Sequence, residues 1–115
     1  MNRKDFDIAL EFGEERETAL KDLLQGATVE VKSEPLSKTH VFIEHEGYGK
    51  PSGIAITKAA FWAIEVKPDM WVILPTEVLR IMWSAALDRF GARIGGDKNA
   101  STGAIVPKQW LVGMR

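Results

Sequence analysis

The stretch MWVILPTEVLRIMWSAALDRF, residues Met70–Phe90, joins two hydrophobic patterns of different period. Met70–Leu74 is a short apolar run, which predicts a buried strand. Thr76 is a typical N-cap residue, and a helix is predicted from there to about Phe90, with Gly91 as its stop. The apolar face predicted for this helix comprises Val78, Leu79, Met82, Ala85 and Ala86.

Upstream of this stretch, strict alternation predicts two further strands. In Thr28–Glu34 the valines point one way and the charged residues point the other, and Val41–Glu46 alternates in the same manner. The segment from about Gly13 to Leu24 has an apolar stripe and acidic first turns, so we expect a helix there.

The remaining segments complete the predicted order of elements. We expect a third strand at Ile54–Thr57, a short helix at Lys58–Trp62, a turn at Pro68-Asp69 and a last strand at Ala104–Val106. This order predicts the α/β class, with a mixed central β-sheet flanked by helices, in a single domain over residues 1–115.

The composition excludes several classes of function. The 115 residues include no cysteine, which excludes disulfides, thiol nucleophiles and thiolate metal sites. No stretch approaches the roughly 18 apolar residues of a membrane span, so we expect a cytoplasmic protein without a membrane partner. The net charge of −1 argues against a purely phosphate-binding protein, but it agrees with carboxylates that bind a metal ion.

The polar face of the Thr28–Glu34 strand carries groups that suit metal-assisted chemistry. If this strand pairs with Val41–Glu46, Glu30, Lys32 and Glu44 converge at roughly 5 Å. Clustered carboxylates repel one another until a divalent cation such as Mg²⁺ binds, and a lysine beside the ion can stabilise charge on a phosphate. The alternative is an ordinary solvated strand face, since a second Glu-Val-Lys tripeptide occurs at Glu65–Lys67.

Four blocks of sequence resemble small phage and prophage nuclease-like proteins of the PD-(D/E)xK superfamily, which are similar to Holliday-junction resolvases. The resemblance implies a restriction-endonuclease-like α-β-β-β-α-β core, Mg²⁺ or Mn²⁺ as cofactor, a DNA substrate and, for a phage-encoded protein, the host cytoplasm. Because resolvase-like enzymes act on two-fold symmetric substrates, it also makes a homodimer a reasonable expectation. The blocks are Phe12–Glu17, Val29–Glu34, Val41–Glu44 and Gly49–Ile54.

The resemblance also implies roles for individual residues. Glu30 would be a catalytic, metal-binding acid, Lys32 the catalytic lysine, and Glu15 the helix acid of resolvase-like members. Glu44 would complete a metal site with Glu30 and Glu15.

This chain lacks the aspartate that the superfamily usually has on the strand before Glu-x-Lys. The replacement acid is expected to be Glu34, Glu44 or Glu46. In a second register, Thr28–Glu34 is itself the first-acid strand and Glu44–Glu46 is a Glu-x-Glu variant. Both registers use Lys32 and Glu44.

Further residues are candidates for contacts with nucleic acid. Lys50 and Ser52 lie in a glycine-rich loop, with Lys58 after it, and we assign all three to DNA binding, although a plain hairpin turn is the alternative. The loop Gly95–Ser101 with Arg93 is a second candidate, for which a simple connector is favoured.

The two histidines and four tryptophans are weaker candidates. His40 and His45 are expected on opposite faces of one strand, which disfavours joint metal binding but allows either one to lie near the carboxylates. The tryptophans could stack on bases, but Trp71 is expected in the core and Trp110 as a C-terminal anchor.

The leading hypothesis is therefore a metal-dependent DNA endonuclease that hydrolyses phosphodiester bonds, with branched or recombining DNA as a candidate substrate. The alternative is an inactive nuclease-like fold that binds DNA or a protein partner. A homodimeric interaction module with an incidental charged strand is the third hypothesis.

Overall fold

The computed structural model describes residues 14, 15, 17, 18, 20–22, 25–35 and 38–113. The residues described before position 25 are helical, in agreement with the helix predicted from about Gly13 to Leu24, whose other positions lie outside the described residues. The strands are β1 (Val29–Lys32), β2 (His40–Gly47), β3 (Lys50–Pro51), β4 (Phe61–Lys67), β5 (Met70–Pro75), β6 (Arg93–Gly95) and β7 (Ser101–Pro107). Helices α1 (Thr76–Phe90) and α2 (Lys108–Leu111) and the 3-10 turns Gly53–Ala55 and Asp97–Asn99 complete the described elements.

These strands form two sheets. The three-stranded sheet has the order β1-β4-β5, with β1 parallel to β4 and β4 antiparallel to β5. The four-stranded sheet is antiparallel throughout, in the order β3-β2-β7-β6. The α/β class and a mixed sheet are therefore confirmed, whereas the prediction of one central sheet is wrong.

Thr28 holds β1 beside β4. Its carbonyl oxygen accepts hydrogen bonds from the amides of Ala60 and Phe61 at 3.0 and 3.1 Å, and its Oγ1 accepts the amide of Ala60 at 3.0 Å. The register then places Val29 opposite Phe61. The predicted pairing of the Thr28–Glu34 strand with the Val41–Glu46 strand is wrong, because β1 pairs with β4 instead.

One hydrophobic core joins the two sheets and α1. The three-stranded sheet contributes the alternate residues of β4, while the four-stranded sheet contributes inward residues of β2 and β7. Burying each such large aliphatic side chain stabilises the fold by roughly 1.5–3 kcal/mol. The core residues include Val41, Ile43, Trp62, Ile64, Val66, Leu79, Ala86, Ala104 and Val106.

Helix α1 is confirmed, but its N-cap residue and part of its core face differ from the prediction. Pro75, not Thr76, occupies the N-cap position, and the buried Thr76 hydroxyl donates to the Ala59 carbonyl at 2.5 Å. Val78 and Ala85 are exposed, although they were predicted on the core face. Leu79, Met82, Trp83, Ala86, Leu87 and Phe90 form the side that packs on the core.

The segment between β3 and β5 departs most from the sequence predictions. Residues 54–57, predicted as a strand, include a 3-10 turn, and the short helix predicted at Lys58–Trp62 is absent because β4 begins at Phe61. Strand β4 is buried on both faces over its first four residues, so its sequence has no alternation to reveal it. Strand β5 was predicted as buried, but it is an edge strand with Trp71 and Ile73 exposed.

Replacement of Thr76 by valine tests the link between α1 and the chain before β4. We expect Thr76→Val to lower the free energy of unfolding by about 1–3 kcal/mol, because the partly buried carbonyl of Ala59 loses its donor. Urea denaturation measures this change. Thr102→Val is the control, since Thr102 is half-buried and makes no side-chain hydrogen bond within the described residues; equal stabilities of the two variants would contradict the prediction.

Candidate functional site

A cleft of about 410 Å³ opens where the end of β1 meets the outer face of the four-stranded sheet, the face turned away from the core. Phe42 and Ile105 form its apolar floor. Lys32 and Glu44, the two residues shared by both predicted registers, line it together. We call it the β1–β2 cleft, and its charged or titratable lining comprises Lys32, Glu34, Lys38, His40, Glu44 and Arg93.

The carboxylate of Glu34 ties β1 to β2. Its two oxygens accept the backbone amide of Phe42 at 3.1 and 3.2 Å, and Oε1 lies 3.0 Å from Nζ of Lys32. On that side β2 pairs with β3 only at Glu46 and Gly47, so the Phe42 amide lies on an open edge and needs an acceptor. The side chains of Lys32 and Glu34 are 28% and 13% exposed, so this ion pair is better shielded than an ordinary surface pair.

Glu44 lies at a β-bulge. The register between β2 and β7 shifts between Glu44 and Glu46, and bulges commonly redirect a side chain near a functional site. Oε2 of Glu44 accepts a hydrogen bond of 2.6 Å from the hydroxyl of Ser52. Hydrogen bonds from Ser101 and Ser52 lower the pKa of Glu44, with the positive charge of Lys32 adding to them and partial burial opposing them.

Three glycines bring bare backbone close to Glu44. A Cβ atom at Gly53 would lie 2.2 Å from the Glu44 carbonyl oxygen, and one at Gly103 would lie 2.4 Å from the carbonyl oxygen of Ile43. A Cβ atom at Gly47 would lie 3.5 Å from Oε2 of Glu44. Gly53 and Gly103 thus permit a backbone approach that no other residue allows, and Glu44 is fixed by its surroundings.

Glu30 and Glu15, predicted as catalytic residues and as metal ligands with Glu44, do not line the β1–β2 cleft. Glu30 lines a separate pocket of about 390 Å³, together with Lys58, because its lateral neighbour is β4 rather than β2. Glu15 is helical and exposed. Within the described part of the chain, no three His, Asp or Glu side chains are grouped closely enough to hold a metal ion. The predicted set Glu30, Glu44 and Glu15 is therefore not brought together.

The three residues predicted to bind DNA lie in different surroundings. Ser52 donates its hydroxyl to Glu44 and its amide to the carbonyl of His45, which makes it a support for Glu44. Lys50 is exposed on β3, and Lys58 lies beside the pocket of Glu30.

The outcomes for the other candidates follow from the faces of the strands. His40 lines the cleft, whereas Nδ1 of His45 accepts a hydrogen bond from the Trp83 indole at 3.2 Å, so the two histidines do lie on opposite faces. Of the three replacement acids, Glu34 and Glu44 line the cleft, and the exposed Glu46 does not.

None of the four tryptophans lines the cleft. Trp62 is buried in the core, and Trp83 and Trp110 pack against it, with Trp110 stacked on Phe90 at 5.9 Å between ring centroids. Trp71, expected in the core, is 43% exposed on the edge strand β5. Base stacking on tryptophan in this cleft is therefore not supported.

Lys38 was not identified from the sequence, and a simple connector was favoured for the loop that includes Arg93. Lys38 lies in a connection without any periodic pattern. Arg93 begins β6, a three-residue edge strand that is too short for alternation to reveal. The signal in the sequence was the pair Gly95-Gly96, because glycine in a strand often marks a close approach to another backbone.

No family model, no curated protein and no solved structure matches this chain. Among the helices of the described ranges, none has both the length and the apolar character needed to cross a bilayer.

Removing the Ser52 hydroxyl tests the electrostatics of Glu44. We expect Ser52→Ala to raise the pKa of Glu44 toward its ordinary value of 4.5 and to destabilise the fold by about 1.5 kcal/mol at neutral pH, since a hydrogen bond to a charged group is lost. A lowered pKa stabilises the fold above the ordinary value, and this contribution is lost as the pH falls through the lowered pKa. The stability difference between wild type and variant should therefore shrink in acid.

The pKa of Glu44 can be followed by NMR of its side-chain carboxyl carbon, and the stability by urea denaturation between pH 7 and pH 3. Ser33→Ala is the matched control, because the Ser33 hydroxyl donates to a different carboxylate, Glu65, at 2.9 Å. An unchanged pKa of Glu44 in Ser52→Ala would refute the assignment of this hydrogen bond.

Proposed function

We propose that this protein is a metal-dependent DNA nuclease that hydrolyses phosphodiester bonds in the β1–β2 cleft. The observation that carries the proposal is the presence of Glu44, which accepts a hydrogen bond from Ser52, in one cleft with Lys32 and Glu34. An acid, an amine and a second acid on adjoining strand ends are the groups that phosphodiester hydrolysis with a hard cation requires.

The charge balance of the cleft favours a phosphate substrate. Three basic side chains, Lys32, Lys38 and Arg93, line the cleft, and they outnumber the two carboxylates of Glu34 and Glu44. The whole chain has a net charge of −1, so this positive excess is local. A local positive field attracts a polyanion to the cleft without making the whole protein basic.

The donor atoms fit a hard divalent cation. Mg²⁺ is usually held by one or two protein carboxylates together with waters and substrate phosphates, and Glu44 with Glu34 offers this number. Because Gly47 and Gly103 have no side chains, they present only backbone atoms to Glu44. When bound, Mg²⁺ or Mn²⁺ would stabilise negative charge on the phosphate and make a bound water more acidic.

Lys32 and Glu34 act as a pair. The Lys32 ammonium group has three N–H donors. The ion pair with Glu34 does not occupy all of them, so Lys32 retains donors for a phosphate oxygen. Glu34 is itself fixed by the Phe42 amide, which makes it a positioning residue for Lys32. Lys32 then stabilises the charge that develops on the phosphate during hydrolysis.

A second candidate function is binding of DNA without cleavage. It is favoured by the engagement of Glu34, whose oxygens already accept Lys32 and the Phe42 amide. It is also favoured by the lack of a three-residue metal cluster within the described residues. In this case the cleft holds the backbone phosphates, and Glu44 orders the β-bulge.

A cleavage assay separates these functions. With labelled duplex and branched DNA and Mg²⁺ or Mn²⁺, we expect cleavage that EDTA abolishes. We expect Lys32→Ala and Glu44→Gln each to reduce the rate about 100-fold or more, because each removes a group that acts on the reacting phosphate.

The chain provides a matched control for each variant. Lys67→Ala alters the lysine of the second Glu-Val-Lys tripeptide, which is exposed at the end of β4, and Glu30→Gln alters the acid outside the cleft. Both should cleave like the wild type. Binding without turnover on every DNA tested would establish the second candidate, and activity lost in Glu30→Gln but kept in Glu44→Gln would refute the assigned site.

A further inference from the structure

We propose that Arg93 forms a phosphate-binding subsite across Gly103 from Glu44, which anchors the DNA backbone next to the reacting position. The inference rests on the proposed function in one respect, that the bound phosphate belongs to a nucleic acid. Neither Arg93 nor Gly103 has a role in the reaction proposed above beyond the charge and the space they provide.

The register of the four-stranded sheet places these residues in one row. Glu44 of β2 lies opposite Gly103 of β7, and Gly103 lies opposite Arg93 of β6. Residues directly opposite each other present their side chains on the same face of an antiparallel sheet. Neighbouring strands are about 4.8 Å apart, so Glu44 and Arg93 are on the order of 10 Å apart at their backbones. Both line the β1–β2 cleft.

No β7 side chain lies in the middle of this row, where Gly103 is buried. Gly103 has no side chain, and it cannot acquire one without a clash, because a Cβ atom there would lie 2.4 Å from the Ile43 carbonyl oxygen and 2.9 Å from Cα of Glu44. The close approach of β2 and β7 therefore keeps any β7 side chain from standing between Glu44 and Arg93 in this row.

Among the described residues, the guanidinium of Arg93 has no carboxylate partner. The ion pairs among the described residues join Glu17 with Lys21, Lys32 with Glu34, and Glu77 with Arg80, and Arg93 takes part in none of them. An arginine presents a planar fork of N–H donors that matches two phosphate oxygens at once.

The surface beside Arg93 suits a nucleotide better than a free phosphate ion. The ring of Phe42 lies against Gly95, where an added Cβ atom would be 3.3 Å from Cζ of the ring. Phe42 and Ile105 thus give an apolar floor for a sugar or base, and Arg93 gives a charged edge for the phosphate.

Fluorescence anisotropy with a labelled DNA duplex in EDTA tests the subsite without cleavage. We expect Arg93→Ala to weaken binding about tenfold and to reduce the slope of log Kd against log salt concentration by about one, because one phosphate contact is lost. Arg93→Lys should keep the salt slope and recover only part of the affinity, since lysine lacks the fork. Arg89→Ala is the matched control, because Arg89 is exposed on α1 over the ring of Phe90.

Competition by inorganic phosphate tests whether the subsite prefers the phosphate of a nucleic acid or a free phosphate ion. Phosphate at millimolar concentration should not displace the duplex beyond the effect of equal ionic strength, whereas displacement would overturn the preference for a nucleic acid.

Arg93 is exposed, and a thermal melt verifies that each variant is folded. If Arg93→Ala does not fold, Arg93→Lys still tests the subsite. A DNA affinity of Arg93→Lys equal to that of the wild type would overturn the two-oxygen contact proposed for the guanidinium.

The failure of this inference is distinguishable from failure of the proposed function. Metal-dependent cleavage with binding and salt slope unchanged in Arg93→Ala would overturn the subsite alone. DNA binding that weakens in Arg93→Ala, without cleavage by the wild type, would support the subsite and overturn the nuclease. A wild type that binds no DNA would overturn both.

Discussion

The contact of the Glu34 carboxylate with the amide of Phe42 and the ammonium of Lys32 determines where the functional groups of this protein meet. Among the described strands, the one that ends at Lys32 pairs with β4 alone, and the one that carries Glu44 pairs with β3 and β7. No hydrogen-bonded ladder joins these two sheets within the described residues, so pairing alone does not set the position of Lys32 relative to Glu44. A charge-assisted bond across an open strand edge does so instead.

The neighbourhood of Glu44 depends on backbone and hydroxyl groups rather than on other charged side chains. Ser52 donates a hydrogen bond to the carboxylate, Ser101 also lowers its pKa, and the β-bulge follows directly after it. Neutral hydroxyl donors are thus the main cause of the lowered pKa of Glu44, and among the described residues no cation forms a salt bridge with it.

Sequence patterns predicted the elements better than their partners. Helix α1 and strands β2 and β7 were found because each has an apolar face or run of sufficient length. Strand β4 was missed because burial on both faces removes alternation, and the partner of β1 was missed because alternation specifies a face and not a neighbour. Lys32 and Glu44 line one cleft, as predicted, but Glu30, which the assumed pairing with β2 and the family resemblance both placed with them, lines another pocket.

The glycine positions around Glu44 have a consequence for how relatives of this chain would be identified. The Glu-Val-Lys tripeptide occurs twice, at Glu30–Lys32 and at Glu65–Lys67, so it is a poor guide to ancestry. Gly53 and Gly103 are different, because any β-carbon at either position would strike a carbonyl oxygen on β2. As surface residues drift over evolutionary time, these two positions would change last, and a search pattern anchored on them would reach more distant homologues.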